Sequence, residues 1–116
     1  MNFEGFKGHI YLIDDDPSMR RSLAFSLSSL RYSIQSFKNP NAFLRDALLI
    51  SPAVILLDNR MPETSGLSLQ NELIRQGRST PIIFISGESQ PAEIIEAMKK
   101  GAVDFLLKPF GLHVLV

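Results

Sequence analysis

The sequence predicts an α/β fold in which one five-stranded parallel sheet carries helices on both faces. Short apolar runs alternate along the chain with segments of helical periodicity. The run from Ala53 to Leu57 is apolar throughout, as is typical of a parallel strand buried on both sides. The alternating elements are joined by short loops, which favours right-handed crossovers between parallel strands.

The first half of the chain contains three predicted strands and two predicted helices. Strands are predicted over 9–14, 32–37 and 53–58, and helices over 17–30 and 41–49. Asp16 and Pro17 supply an N-cap and an N1 proline for the first helix. Its apolar face is expected to consist of Met19, Leu23, Leu27 and Leu30.

The second half continues the same alternation. A helix is predicted over 65–76 with Gly77 at its end, and Pro81 begins a strand that ends at Ser86. The next helix, over 91–100, should place Ile94, Ile95 and Met98 on its apolar side and end at Gly101. The last strand is predicted over 103–107, and a final helix begins after residues 109–110.

The final helix reaches only about two turns before Val116. We therefore expect residues 1–116 to form a single domain whose last helix is incomplete. An output domain is expected outside this chain, and exposed apolar surface left by the incomplete helix is expected to favour domain exchange.

Composition excludes several functional classes. A chain of 116 residues fits one domain, and 12 Lys plus Arg balance 12 Asp plus Glu. Because the net charge is zero, no global basic field favours nucleic acid or an anionic membrane. Cysteine is absent, which excludes disulfides and thiolate metal sites. Neither a signal peptide nor a membrane span is predicted, so a cytoplasmic location is expected.

Polar side chains follow the predicted strands where each one ends. Asp14 and Asp15 follow the first strand, Asp58 ends the third, Ser86 ends the fourth and Lys108 follows the fifth. In open α/β sheets ligands bind outside these carboxyl ends. Three neighbouring carboxylates repel one another unless a cation offsets their charge, and Mg²⁺ prefers such oxygen ligands.

A serine and a lysine beside these acids suit phosphoryl chemistry. A hydroxyl can hydrogen-bond one phosphoryl oxygen and an ammonium can neutralise another. A carboxylate can also act as the nucleophile and form an acyl phosphate. Asp58 is the candidate nucleophile because it ends a central strand. Neither His9 nor His113 has other ligand-type residues nearby in the sequence, so structural roles are expected for both.

The sequence resembles the receiver domain of a bacterial two-component response regulator. It is similar to the receivers of the FixJ/NarL (LuxR-type) transcription factors. The resemblance spans nearly the whole chain and rests on five blocks in register: Ile13-Asp14-Asp15-Asp16, 20–25, Leu57-Asp58-Asn59-Arg60-Met61-Pro62 with Gly66, 81–87, and 97–110. It implies a flavodoxin-like (CheY-like) doubly wound fold with strand order 2-1-3-4-5.

The resemblance also implies roles for individual residues. Asp58 would accept a phosphoryl group from a sensor histidine kinase. Mg²⁺ would be bound by Asp14, acting largely through water, by Asp15 and Asp58, and by the backbone carbonyl of Arg60. Ser86 and Lys108 would contact the phosphoryl group.

A conformational switch is implied as well, with Ser86 and Phe105 as its switch residues. Phosphorylation would then change the surface formed by the fourth helix, the fifth strand and the last helix, which could dimerise. The output would be control of transcription. Such a chain is a signalling protein, whose only catalysis would be the phosphorylation and dephosphorylation of its own aspartate, and it would not itself bind nucleic acid or a membrane.

Two other interpretations of the motifs stay open. Asp14 and Asp16 after an apolar strand, with Ser86 and Lys108, loosely resemble a haloacid-dehalogenase-type phosphatase whose nucleophile would be Asp14. The short chain and the lack of a later acidic pair oppose this. The third possibility is a receiver-like module that mediates protein contacts without being phosphorylated.

Isolated acids such as Asp16 are typical helix caps, and Arg20 and Arg21 are expected to form a solvated helix face.

Overall fold

The computed structural model describes residues 8–46, 53–59, 65–78, 80–87 and 90–107. Nine elements alternate along these residues. The strands are β1 (Gly8–Ile13), β2 (Tyr32–Phe37), β3 (Ala53–Asp58), β4 (Ile82–Ser86) and β5 (Asp104–Leu107). The helices are α1 (Pro17–Ser29), α2 (Pro40–Asp46), α3 (Gly66–Arg75) and α4 (Pro91–Lys99). The final helix expected after residues 109–110 lies outside the described residues.

The five strands form one parallel sheet in the order β2-β1-β3-β4-β5. β1 pairs with both β2 and β3, and its Ile13 lies opposite Leu57 of β3. All four pairings are parallel, so the carboxyl ends of the strands share one edge. The predicted doubly wound fold and strand order are therefore confirmed.

Alternate residues of the strands face two separate cores. On one face, Tyr11, Ile13 and Phe84 belong to a cluster that α2, α3 and α4 cover with Phe43, Leu69, Leu73 and Ala97. On the other face, Ile10 and Leu12 pack with Leu23 and Leu27 of α1. Because successive strand residues point to opposite faces and both faces are covered, the central strands are apolar over most of their length.

Local signals set the helix boundaries much as the sequence predicts. Asp16 is the N-cap of α1 and accepts a hydrogen bond from the Ser18 backbone N–H at 2.9 Å. α1 ends one residue before the predicted position, at a turn where Arg31 takes a left-handed backbone with φ of 72°. Gly77 and Gly101 follow α3 and α4 with φ of 74° and 101°, a conformation that glycine adopts without strain.

The predicted apolar side of α4 is only partly buried. Ile95 and Met98 are 54% and 42% exposed, whereas Ala97 is fully buried. Position 97 faces the sheet, and the small alanine side chain permits a close approach of the helix. The expectation that Ile95 and Met98 belong to a buried face was therefore wrong.

None of the helices within the described ranges has the length and apolar character that crossing a bilayer requires.

His9 is buried near the start of β1, where its Nδ1 lies 3.0 Å from the Ser33 hydroxyl. Its ring meets that of Tyr11 edge-on, at 4.6 Å between centroids. Burial lowers the pKa of His9 below its ordinary value, and a hydrogen bond with Gln35 opposes this shift. The structural role expected for His9 agrees with this environment. His113 lies outside the described residues.

Stability should therefore fall as the pH drops from the ordinary histidine value of about 6.5 toward the lower pKa of folded His9. In this window the unfolded chain binds a proton that the folded chain does not. Urea unfolding at several pH values from neutral to mildly acidic should show a smaller loss for His9→Gln than for the wild type. Equal losses in the two proteins would show that His9 is not responsible.

Candidate functional site at the carboxyl edge of the sheet

Three carboxylates meet at the carboxyl ends of β1 and β3. One oxygen from each of Asp14, Asp15 and Asp58 lies within 4.8 Å of the others. Asp58 is the last residue of β3, and Asp14 and Asp15 directly follow β1, its neighbour in the sheet. The convergence that strand order implies is thus present in the structure.

The three acids differ in burial and in local partners. Asp14 is completely buried and Asp58 is 3% exposed, while Asp15 faces solvent. One oxygen of Asp14 accepts a hydrogen bond from the backbone N–H of Asp16 at 2.9 Å. Two buried carboxylates beside a third carry a repulsion that a cation would offset.

The donor set fits Mg²⁺. All three side chains offer oxygen, which is the ligand that hard divalent cations prefer. Their spread of 4.8 Å is close to the roughly 4.2 Å between opposite ligands of an octahedral ion with bonds near 2.1 Å. The exposed position of Asp15 leaves the group open to water, which Mg²⁺ retains in most protein sites.

Ser86 and Phe105 lie on the two strands beyond β3. Ser86 is fully buried at the end of β4, one residue past Ile85, which pairs with Asp58. Phe105 is partly buried on β5, and its ring stacks on that of Phe84 with centroids 5.3 Å apart and planes 9° from parallel. Thus the hydroxyl predicted to contact a phosphoryl group lies at the same edge as the acids.

Two predicted site residues, Lys108 and Arg60, lie outside the described residues. Their expected roles, as a phosphoryl contact and as a carbonyl ligand, stay predictions.

Arg20 has a role that its sequence position did not reveal. Its Nη1 donates a hydrogen bond to the backbone carbonyl of Asp14 at 2.7 Å, which ties the first turn of α1 to the end of β1. The expectation of a purely solvated side chain was therefore wrong for Arg20, whereas Arg21 is exposed as predicted. The only signal in the sequence is its position in the turn that follows the acidic run.

The contacts of Asn59 were not predicted from the sequence either. It is 1% exposed, and its side chain bonds to both α3 and α4. The partner on α4 is Glu93, which lies 34 residues away in the sequence. No local pattern indicates such a contact.

The fold and the acidic cluster together define a class of protein. Residues 10–116 match the family model described as response regulator receiver domain. The chain belongs to this family and is a receiver domain of the kind found in two-component response regulators.

Individual relatives have similar sequences and folds. The chain is 42% identical over 104 residues to the transcriptional regulatory protein FixJ of Bradyrhizobium diazoefficiens, covering 90% of this chain and 51% of FixJ. It is 40% identical over 101 residues to the response regulator protein TmoT of Ectopseudomonas mendocina, covering 87% of this chain and 46% of TmoT. The chain thus spans about half the length of these relatives.

Solved structures agree with this assignment. The crystal structure of FixJ-N superposes with a TM-score of 0.84 at 35% identity, covering 94% of this chain and 87% of that one. The response regulator StyR gives a TM-score of 0.86 at 34% identity, covering 94% of this chain and 55% of that one.

Proposed function

We propose that Asp58 accepts a phosphoryl group from a sensor histidine kinase and that the receiver domain thereby switches a transcriptional regulator. The observation that carries this proposal is the convergence of Asp14, Asp15 and Asp58 within 4.8 Å at the carboxyl edge of a receiver fold. In the reaction, the P–N bond of a kinase phosphohistidine breaks as a P–O bond forms to a carboxylate oxygen of Asp58.

Magnesium is part of the proposal. Asp14, Asp15, Asp58 and the carbonyl of Arg60 would hold the ion, which supplies positive charge against the carboxylates and the phosphoryl oxygens. The protein groups have separate tasks. Asp58 presents the attacking oxygen, Ser86 donates its hydroxyl hydrogen bond to one phosphoryl oxygen, and Lys108 neutralises another.

The proposed switch involves Ser86 and Phe105. A phosphoryl group on Asp58 adds negative charge and acceptor oxygens at the edge where Ser86 lies buried. Movement of Ser86 toward the phosphoryl group would leave space beside β5, into which the Phe105 ring can turn. The Phe105 side chain is only partly buried and stacks on Phe84, and this partial burial supports its role as a side chain that changes conformation.

The proposed output surface comprises α4, β5 and the last helix, of which only the first two are described. Large apolar side chains are exposed on α4, with Ile95 at 54% and Met98 at 42%, and at Val103 just before β5, at 57%. Ile95 and Met98 are three positions apart and so lie on the same side of the helix, and neighbouring exposed apolar side chains are typical of protein contact surfaces. This exposure supports homodimerisation of the phosphorylated receiver through that surface.

We further propose that residues 1–116 form one receiver unit whose DNA-binding output domain belongs to the whole protein. This is supported by the name of FixJ, a transcriptional regulatory protein, and by the greater length of the relatives. The proposed role is signalling, with catalysis confined to the phosphorylation and dephosphorylation of Asp58. The cytoplasmic location stays a prediction.

The deciding experiment measures intact mass after incubation with acetyl phosphate and Mg²⁺. The wild type should gain one phosphoryl group, and Asp58→Asn should gain none, because an amide is a poor nucleophile for this transfer. Asp14→Asn should react more slowly, as should the wild type with a chelator in place of Mg²⁺, since both changes weaken the cation site.

Each alternative has a distinct outcome in the same experiment. Modification that persists in Asp58→Asn and is lost in Asp14→Asn, with steady turnover of phosphate esters, would indicate the phosphatase. No modification of the wild type would indicate a module that only mediates protein contacts. The comparisons give no support to the phosphatase.

A further inference from the structure

Asn59, the residue directly after Asp58, joins the proposed phosphorylation site to two neighbouring elements. Its backbone N–H donates to the carbonyl of Ile85 at 3.2 Å, and its carbonyl accepts from the N–H of Gly66 at 3.1 Å. Its side-chain oxygen accepts from the N–H of Leu67 at 3.2 Å. The backbone of Asn59 is therefore held between β4 and the start of α3.

The side-chain nitrogen of Asn59 extends this network to α4. Nδ2 donates to Oε2 of Glu93 at 3.1 Å, while Oε1 of the same carboxylate accepts from the backbone N–H of Gln90 at 2.8 Å. Gln90 is the N-cap of α4, and Glu93 is the acidic residue in its first turn. One carboxylate thus ties the end of β3 to the beginning of α4 through hydrogen bonds that its charge strengthens.

These contacts make it costly for Asn59 to move independently of its neighbours. The residue is 1% exposed, so a hydrogen bond lost on rotation of its side chain would not be replaced by water. A shift of the Asp58 backbone would therefore displace the first turn of α4 through these contacts. A residue that contacts both the Asp58 site and the first turn of α4 can couple the conformations of these two places.

We propose that Asn59 is a positioning residue that couples phosphorylation of Asp58 to the first turn of α4 through Glu93. This inference rests on the proposed function of Asp58. It adds a route through hydrogen bonds from β3 to α4, separate from the switch assigned to Ser86 and Phe105.

α4 itself offers a matched control. Glu96 is an exposed carboxylate on the same helix, and it lies 3.7 Å from the ammonium of Lys100, four residues further along. Glu96→Gln therefore removes the same charge as Glu93→Gln, without touching the contact to β3. Differences between these two variants report on the contacts of Glu93 with Asn59 and with the Gln90 backbone N–H rather than on the loss of one negative charge from the helix.

The test compares amide hydrogen exchange at Gln90 and over residues 92–95 before and after phosphorylation with acetyl phosphate and Mg²⁺, with intact mass measured on each sample. Phosphorylation should change wild-type exchange there by about tenfold, the factor that one hydrogen bond to a charged group typically represents. In Glu93→Gln the change should shrink to less than about threefold, because an amide offers one acceptor oxygen in place of two. Glu96→Gln should respond like the wild type.

A reciprocal exchange separates coupling from mere support of the fold. In Asn59→Asp combined with Glu93→Gln, the new carboxylate can accept from the new amide, and its other oxygen still faces the N–H of Leu67. On a logarithmic scale of exchange rates, the double variant should recover at least half of the change that phosphorylation causes in the wild type. Asn59→Asp alone should not recover it. Circular dichroism checks that each variant is folded. If Glu93→Gln alone does not fold, the folded double variant still tests the proposal.

The outcomes distinguish this inference from the proposed function. If the wild type gains no phosphoryl group, the role of Asp58 is wrong and the coupling is wrong with it. If the wild type is phosphorylated but Glu93→Gln responds fully, or Glu96→Gln loses the response equally, only the coupling is wrong. The same conclusion follows if the folded double variant fails to recover the response.

Discussion

Gly66→Ala is expected to lower the free energy of unfolding by about 3 kcal/mol, the upper part of the usual range for an overpacked site. A Cβ at this position would lie 2.8 Å from the carbonyl oxygen of Asp58 and 3.0 Å from both Cα of Asn59 and Cε1 of Phe84. Two of these three atoms belong to the backbone and cannot move aside by a rotamer change. The end of β3 or the start of α3 must shift instead.

Urea unfolding of the two proteins measures this loss, and the mass assay with acetyl phosphate should show slower phosphorylation of the variant, since the displaced backbone carries Asp58. Gly87→Ala is the control, because a Cβ there meets nothing within 4 Å. A change below about 1 kcal/mol in Gly66→Ala would show that the start of α3 adjusts freely.

Phe84→Ala is expected to lower the free energy of unfolding by about 3–5 kcal/mol. The Phe84 side chain is fully buried in the larger core, and its ring stacks on that of Phe105. Truncation removes most of this apolar contact and leaves a cavity that the sheet cannot close. Thermal or urea unfolding of the purified variant measures the effect.

The matched control is Phe25→Ala, since Phe25 lies on α1 with 78% of its surface exposed. This change should alter the free energy of unfolding by no more than about 0.5 kcal/mol. A similar decrease in the free energy of unfolding for both variants would contradict the assignment of Phe84 to the core, because it would show that burial does not determine the decrease.

The order of elements could be predicted because each depends on local information. Asp16 caps α1 through a bond to a residue two positions away, and β3 is apolar because both of its faces are covered. The meeting of Asp14 with Asp58 also follows from simple rules, once β1 and β3 are neighbours in a parallel sheet. These parts of the site depend on topology rather than on the details of packing.

The remaining contacts depend on how the helices rotate and pack. The rotation of α4 turns Ala97 toward the sheet and leaves Met98 42% exposed, although apolar periodicity favours Met98 for the buried position. The hydrogen bond from Asn59 to Glu93 joins the residue after β3 to α4. In the sequence, neither residue can be told apart from an ordinary polar surface residue. Only the three-dimensional structure brings them together.

The alternation of the sheet between two cores limits which changes in chain length the site can tolerate. One residue inserted within β1 or β3 would reverse the facing of every later side chain in that strand and turn Asp14 or Asp58 toward the opposite side. The turn at Leu30 and Arg31 lies at the other end of the sheet, where an added residue leaves the acids in place. Insertions and deletions should therefore be tolerated at that turn. The two central strands should accept substitutions by other apolar residues but no change in length.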